Sequence, residues 1–128
     1  MEGELLDKFD RMIVGRGYTN RSEAIRDFVR QNIVLEGVSD ANADAFGVLS
    51  LVYDHHVREL GGKLTDFQHE HFKSIVSTSH VHIDHDNCLE VIILKDKAGK
   101  ISEIADKILS YKGVKHGKLS LTLTGKEF

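Results

Sequence analysis

Residues 79–90, which read SHVHIDHDNCLE, constrain the fold more than any other part of the chain. Valine and isoleucine on one side of a polar cluster, and leucine and valine on the other, are typical of two strands joined by a turn. Because side chains alternate along a strand, His80 and His82 are predicted to project from one face. The only cysteine of the chain, Cys88, lies six positions after His82.

The turn decides where the thiol lies. A three-residue loop over 85–87, with Asn87 in the left-handed conformation, would pair Asp84 with Cys88. That pairing would bring the Cys88 thiol to the histidine face. Imidazole and thiolate are donors suited to Ni, Cu, Zn or Co, so we interpret the hairpin as a transition-metal site. The alternative is that these side chains simply pack or face solvent.

Such a site lacks one ligand, since four-coordinate ions need a fourth donor. The nearest candidates, His69 and His71, lie before the first strand of the hairpin, and His69 is eleven residues from His80. Each strand residue advances about 3.3 Å, so neither side chain could reach the same ion within one chain. A neighbouring subunit could supply it, and the ion would then stabilise the assembly.

Composition limits the class of protein. The chain has 128 residues, a net charge of −3 and no apolar run or charged leader typical of a membrane span or signal peptide. We therefore expect a cytoplasmic protein that does not enter a membrane and whose single cysteine stays reduced. The net charge argues against indiscriminate nucleic-acid binding, although a small DNA reader can work with local basic groups.

The first 36 residues predict two amphipathic helices, over about 4–14 and 21–33. Asn20 followed by Glu23 resembles a capping box at the start of the second helix. Two helices of this size cannot bury their apolar faces alone, so we expect this domain, residues 1–36, to pair with a second copy.

Residues 37–44 are small and polar and predict a linker to a second domain, residues 45–128. This domain predicts the order βαββαβ, the split arrangement of ferredoxin-like domains. The fold class is thus α+β. The predicted elements are a strand at 46–53, a helix at 57–67, strands at 72–83 and 88–95, a helix after a turn at 96–99 that Lys112-Gly113 ends, and a strand at 119–124.

Two polar side chains are predicted to support the metal ligands. Glu90 lies two residues after Cys88, on the same face, where it could accept a hydrogen bond from a ligand imidazole. Gln68 is a weaker candidate for the same role. His85 lies in the turn and is not predicted to be a ligand. The other histidines are expected to face solvent or to bind excess metal weakly; they are His55, His56, His71 and His116.

The start of the second helix predicts a phosphate contact. Asn20, Arg21 and Ser22 combine short polar side chains with exposed backbone N–H groups at the positive end of the helix dipole. Helix capping alone also explains Asn20. Glu23 and Asp27 are four residues apart on this helix, and such like charges favour a bound cation or else form a solvated face.

Several motifs together resemble the nickel-responsive transcriptional regulator family, over nearly the whole chain. They are RGYTNRSEAIRD at 16–27, His69, His80-Val81-His82, Cys88-Leu89-Glu90 and GVKHG at 113–117. The resemblance implies a ribbon-helix-helix DNA-binding domain joined to a ferredoxin-like, ACT-type regulatory domain, assembled as a tetramer, a dimer of dimers.

The same resemblance implies one Ni(II) per subunit in a square-planar site. Its ligands would be His80, His82 and Cys88 of one subunit and His69 of another. It also implies an alkali-metal (K⁺) site at Glu23 and Asp27. The implied function is a repressor whose nickel occupancy controls binding to operator DNA, with nickel-uptake genes as its targets.

One departure concerns DNA. The family's first domain opens with a strand that reads the major groove, whereas here Met1-Glu2-Gly3 leads directly into the first helix. We therefore expect a helical pair without the ribbon strand, which binds metal but not operator DNA. Two other functions stay open: an ACT-type sensor of a small metabolite, and a metalloenzyme, which four protein ligands would disfavour by closing the site. We expect no enzyme.

Overall fold

The computed structural model describes residues 2–126, which form four helices and four strands in two compact units, Met1–Glu36 and Gly37–Phe128. In chain order the elements are α1 (Gly3–Gly15), α2 (Arg21–Val38), β1 (Asp44–Asp54), α3 (Leu60–Glu70), β2 (Ile75–His82), β3 (Asn87–Lys97), α4 (Ala98–Leu109) and β4 (Val114–Leu123).

The first unit contains α1 and most of α2, and its interior is small. Of its described residues only Ile13 and Ala24 are buried. The ring of Phe9 on α1 packs edge-on against that of Phe28 on α2, with centroids 5.9 Å apart. Large apolar side chains face outward along both helices, namely Leu5, Met12, Val14, Ile25, Val29, Ile33 and Leu35. The single copy therefore leaves much of its apolar surface uncovered.

The second unit is built on one sheet in the order β2-β3-β1-β4, with all three pairings antiparallel. β3 lies between β1 and β2 and pairs with both, so the order of the strands in the sheet differs from their order in the chain. With a helix after β1 and another after β3, this is the predicted ferredoxin-like βαββαβ arrangement, and the α+β fold class is confirmed.

The core lies between one face of the sheet and the helices α3 and α4. Alternate residues of β1, including Leu49, Leu51 and Tyr53, are buried on this face. Leu64 and Phe67 of α3 and Ile101, Ile104 and Ile108 of α4 complete the same cluster. The opposite face carries exposed valine and isoleucine, including Val48 and Ile93, which are direct cross-strand partners.

Helix α3 begins three residues later than predicted. Glu59 has φ of 69°, a left-handed conformation that no helix can include, and so α3 starts at Leu60. The pair Gly61-Gly62 then falls in the first turn of the helix. At the other end the His71 carbonyl accepts hydrogen bonds from the N–H groups of Ser74 and Ile75. Residues 72–74, which were predicted to begin a strand, therefore form a turn.

Other element boundaries also differ from the predictions. α2 continues past residue 33 to Val38, and α4 starts at Ala98, directly after β3, where a turn was predicted. β4 starts at Val114, five residues early, because Gly117 allows β4 to approach its neighbours closely. A Cβ atom there would lie 2.7 Å from the Ser50 carbonyl oxygen and 2.4 Å from Leu109 Cδ2.

None of the helices within residues 2–126 is both long and apolar enough to cross a membrane.

Candidate metal centre

His80, His82 and Cys88 are brought together by the antiparallel pairing of β2 with β3. His82 lies directly opposite Cys88, and His80 lies opposite Glu90. One ligand atom from each of the three residues lies within 4.8 Å of the other two, and Cys88 Sγ is 3.4 Å from His82 Nδ1. The three side chains that the sequence predicted to share a face therefore do share it.

The register of this hairpin differs from the predicted one by two residues. Cys88 pairs with His82 and not with Asp84, and the loop that closes on Ile83 and Asn87 comprises residues 84–86. The Asp84 carboxylate explains the shift, because its Oδ1 accepts the backbone N–H groups of Asp86 and Asn87, both at 2.9 Å. Asn87 joins the strand and does not adopt the predicted left-handed conformation. A shift by two keeps every side chain on its original face.

Burial differs sharply among the three donors. Cys88 is fully buried in the core cluster, whereas His80 and His82 are exposed on the edge strand β2. The thiol is thus shielded by the core on one side and open only toward the imidazoles. An ion placed among these atoms would be reachable from the sheet edge, where a further donor can approach.

Tyr53 belongs to the centre, although the sequence did not predict it. Its Oη lies 3.1 Å from His80 Nδ1, at hydrogen-bonding distance, and it pairs with Cys88 across β1 and β3. Burial, with the nearby Glu90 and Cys88 groups, raises the pKa of Tyr53 to about 12, so its hydroxyl keeps its proton. The signal that could have revealed it is the alternation of β1 combined with the β1–β3 pairing.

Glu90 and Gln68 form a polar bridge between the sheet and α3. Glu90 is only 6% exposed, and its Oε1 accepts a hydrogen bond from Gln68 Nε2 at 3.0 Å. Gln68 Oε1 in turn accepts one from Thr78 Oγ1 at 2.9 Å. A ligand imidazole was predicted to donate a hydrogen bond to Glu90. In the structure Gln68 donates to Glu90 instead. Both residues nevertheless adjoin the hairpin that carries the donors.

His69 lies apart from this centre in the single chain. It is exposed in the last turn of α3, outside the group formed by His80, His82 and Cys88. Its neighbour His71 caps α3, with its ring stacked on Phe67 at 4.2 Å and its Nδ1 3.0 Å from the Phe67 carbonyl oxygen. His116 is exposed on β4.

The predicted phosphate-contact residues lie at the start of α2. Asn20 Oδ1 accepts the Glu23 N–H at 2.9 Å, which is the predicted helix cap. Ser22 is exposed in the first turn. Arg21, however, forms a two-pronged ion pair with Asp10 of α1, at 2.8 and 2.7 Å, so its guanidinium is already engaged within the unit. No pattern in the sequence marks this pairing, which spans eleven positions.

Glu23 and Asp27, the predicted cation pair, each accept a hydrogen bond from the preceding loop. Thr19 Oγ1 lies 3.5 Å from Glu23 Oε2, and Tyr18 Oη donates to Asp27 Oδ2 at 2.7 Å. Asp27 is also 3.8 Å from the Arg30 guanidinium. Tyr18 and Thr19 are neutral hydrogen-bond donors, and Arg30 supplies a positive charge to Asp27.

The donor set of the centre fits a transition metal. Two neutral imidazoles and a thiolate are the groups that Ni(II), Cu(II) and Zn(II) select, and hard cations such as Mg²⁺ prefer oxygen. The three donors come from two paired strands of a packed sheet, so their spacing is held by the fold. With three protein donors, at least one coordination position is left for another ligand.

Comparison with known proteins gives a consistent result. Residues 46–122 match the model of the NikR C terminal nickel binding domain. A Solibacter usitatus protein named "Putative nickel-responsive regulator" is 50% identical over 127 residues, which are 99% of this chain and 91% of that protein. A protein of the same name from Trichlorobacter lovleyi is 51% identical over 95% of this chain and 88% of its own. One from Thermococcus onnurineus is 49% identical over 97% and 90%.

Proposed function

Since this chain belongs to the family of nickel-responsive regulators, we propose that it binds Ni(II) through His80, His82 and Cys88. We also propose that nickel occupancy controls its binding to operator DNA, and this proposal replaces the expectation from the sequence that the chain does not bind an operator. Nickel-uptake genes are the proposed targets, and the cytoplasm, where the thiol stays reduced, is the proposed compartment.

The observation that carries this proposal is the approach of three nitrogen and sulfur donors to within 4.8 Å of one another. Ni(II) supplies a positive charge that holds these donors together. Cys88 would contribute the thiolate, whose low exposure protects it from oxidation. Tyr53 would orient the His80 ring, because its hydroxyl lies 3.1 Å from Nδ1.

We propose that the fourth donor is His69 of a second copy of the chain. His69 is exposed in α3, as a donor to a neighbouring molecule must be. His80 and His82 are exposed on β2, which is an edge strand and leaves room for that approach. Each ion would then be held by two chains, with one Ni(II) per subunit.

The surface of the second unit supports such an assembly. One face of the sheet is covered by α3 and α4, while the other exposes Val48, Val81 and Ile93 at 42%, 52% and 37%. Burying apolar side chains of a sheet face against a second copy lowers the free energy of the assembly. We propose that this face and the shared metal sites together build a homotetramer, a dimer of dimers.

The first unit is proposed to carry the DNA contact. Its two helices bury only Ile13 and Ala24, and the exposed apolar side chains of α1 and α2 would be covered in a dimer. Asn20 and Ser22 at the start of α2 remain the proposed phosphate contacts, since the helix dipole favours an anion there. Arg21 could join them only by giving up Asp10. Glu23 and Asp27 remain the proposed K⁺ ligands.

Thermodynamic linkage connects the two activities. A ligand that binds one assembled arrangement more tightly than the others raises the population of that arrangement. If the nickel-bound tetramer holds its DNA-binding units in the arrangement that an operator fits, nickel and operator must favour each other's binding equally.

The proposal is tested by titrating the full chain and its Cys88→Ser variant with Ni(II) while recording near-ultraviolet absorption and mass in solution. The wild-type chain should bind one tight equivalent with a thiolate-to-nickel absorption band, and Cys88→Ser should lose both. His116→Ala, which removes an exposed histidine outside the centre, is the matched control. Equal tight binding by wild type and Cys88→Ser would reject the assignment.

A further inference from the structure

A pocket of about 520 Å³ lies at the end of the sheet where β1 begins and where β3 and β4 end. Small-molecule sites in proteins commonly have this size. Paired strands form it, because Phe46 lies opposite Lys95 and Asp44 lies opposite Lys97. Seven residues of β1 separate Phe46 from Tyr53 at the metal centre, which is about 23 Å at the rise of a strand. The pocket is therefore separate from the proposed nickel centre.

Positive charge is concentrated in this pocket. Four lysines line it against two aspartates, so its formal charge is +2 in a chain whose net charge is −3. The lysines are all exposed, and they come from the turn before β2 (Lys73), from β3 (Lys95 and Lys97) and from the segment after β4 (Lys126). The Lys95 N–H donates to the Ser74 carbonyl at 2.8 Å, which holds the turn against β3. Folding thus gathers these charges from separate segments of the chain.

The two aspartates of the pocket already accept hydrogen bonds. Asp44 Oδ1 accepts one from Lys97 Nζ at 2.6 Å, and Asp96 Oδ1 accepts one from the Lys97 N–H at 2.7 Å. The bond from Lys97 holds the pKa of Asp44 below its ordinary value. The charges of Lys126 and Lys95 lower it further, since both side chains line the same pocket. Asp44 thus stays ionised at neutral pH and offsets the charge of Lys97.

Three of the lysines have no such partner. Within residues 2–126, no carboxylate lies at ion-pair distance from the ammonium groups of Lys73, Lys95 or Lys126. Like charges in one pocket repel each other, and an anion bound among them offsets that repulsion. Lys95 Nζ also lies 5.6 Å from the centroid of the Phe46 ring, and Thr124 adds a hydroxyl that can donate a hydrogen bond. The pocket is therefore suited to a ligand that carries more than one negative charge.

We propose that this pocket binds a diphosphate group, free or as part of a nucleotide. Lysine engages phosphoryl oxygens as a compact charge on a flexible stem, so lysines from different segments can reach two adjacent phosphoryl groups. The residues that line the pocket within 2–126 include no arginine, the side chain whose fork matches a planar carboxylate. The half-buried ring of Phe46 offers a flat surface on which a nucleotide base can stack.

The test titrates the full chain with inorganic pyrophosphate by calorimetry, in nickel-free buffer at low and at high salt. Wild type should bind one equivalent per chain, with an affinity that falls as salt rises. The double variant Lys95→Gln/Lys126→Gln should bind about tenfold more weakly, since each exposed charge contributes a factor of about three. The control Lys63→Gln/Lys107→Gln makes the same change of charge at exposed residues of α3 and α4, outside the pocket, and should bind as wild type does.

A titration with ADP identifies the source of the diphosphate. Tighter binding of ADP than of pyrophosphate would support a nucleotide whose base stacks on Phe46, and equal or weaker binding would support a free diphosphate. The proposal is overturned if pyrophosphate does not bind to wild type, or if the two double variants bind it equally.

The proposal is also overturned if Lys95 and Lys126 are needed for binding a random-sequence DNA duplex but not for binding pyrophosphate, because the surface then contacts nucleic acid. The outcome is independent of the nickel centre. Both double variants should keep the thiolate-to-nickel absorption when Ni(II) is added without pyrophosphate, which also reports that they are folded.

Discussion

Tyr53 Oη lies 3.1 Å from His80 Nδ1, although 27 positions separate the two residues in the chain. The contact engages one nitrogen of the His80 ring and leaves the other available. It also places a protonated hydroxyl at the inner edge of the metal centre, since the pKa of Tyr53 is raised to about 12. Tyr53 is therefore expected to set the orientation of a ligand without binding the ion.

The variant Tyr53→Phe should weaken nickel binding while preserving the fold. The ring stays in the core, and only the hydroxyl next to His80 is lost. Removal of such an orienting group typically costs about 10- to 100-fold in metal affinity. Competition against a chelator measures the change. Tyr111→Phe, which alters a partly buried tyrosine packed on Phe67, is the control, and equal affinities for the two variants would refute the role of Tyr53.

The variant Ser74→Ala should change how stability depends on pH. Ser74 Oγ donates to Asp96 Oδ2, and this bond lowers the pKa of the Asp96 carboxyl below its ordinary value. As the pH falls, the Asp96 carboxyl of the unfolded chain therefore binds a proton at a higher pH than that of the folded chain does. The hydrogen bond from Ser74 to Asp96 therefore stabilises the folded chain at pH values above the ordinary carboxyl pKa. This stabilisation is lost as the pH falls through the lower pKa of the folded chain.

Denaturant unfolding of the metal-free chain tests this at neutral and acidic pH. Ser74→Ala should lower the free energy of unfolding by about 1.5 to 3 kcal/mol at neutral pH, the usual effect of losing a hydrogen bond to a charged group. The deficit should shrink in acid. Ser120→Ala, at an exposed serine of β4, should cost little at any pH. A deficit for Ser74→Ala that does not change with pH would show that Asp96 is not the linked group.

Two glycine-to-alanine variants should have opposite effects on stability. At Gly117 an added Cβ would lie 2.7 Å from the Ser50 carbonyl oxygen and 2.4 Å from Leu109 Cδ2, so Gly117→Ala should cost about 1 to 3 kcal/mol or more. At Gly61 nothing lies within 4 Å. Gly61→Ala should stabilise α3 by up to about 1 kcal/mol. Denaturation midpoints measure both, and a neutral Gly117→Ala would contradict the close approach of β4.

The variant Val48→Lys should reduce the size of the assembly without unfolding the chain. Val48 is 42% exposed and pairs with Ile93 on the uncovered face of the sheet. A lysine in the middle of an apolar interface would lose water on assembly at a large cost. Light scattering should report a smaller species, with an unchanged circular dichroism spectrum. Asp106→Lys, on the exposed side of α4, is the control and should assemble as wild type does. If Val48→Lys also assembles as wild type does, this face is free in solution and the proposed interface is wrong.

The face shared by His80, His82 and Cys88 could be predicted because it depends only on alternation within each strand and on whether the register shift between the strands is even or odd. The exact register could not, since it depends on the Asp84 side chain accepting two backbone N–H groups, a local competition that propensities do not resolve. The predicted pairing of Asp84 with Cys88 was wrong by two residues. An even shift leaves the faces unchanged, and the grouping of donors survived the error.

Tyr53 was missed for a different reason. Its place beside Cys88 follows from the pairing of β1 with β3, which are separated by a helix and another strand. The order of elements predicted the ferredoxin-like fold, but side-chain neighbours across distant strands require the register itself. The late start of α3 likewise depends on the left-handed Glu59, a conformation that glutamate rarely adopts and that no pattern in the sequence marks.

The central claim is that one ion is held by two chains, and mixing two defective chains tests it most directly. His69→Ala keeps the three donors of the hairpin, and Cys88→Ser keeps His69, so each alone should lack the tight site and its thiolate-to-nickel absorption. Coexpressed, they should regain the absorption at about a quarter of the native amount, as random pairing of subunits dictates. No recovery in the mixture, or full absorption from His69→Ala alone, would contradict the shared site.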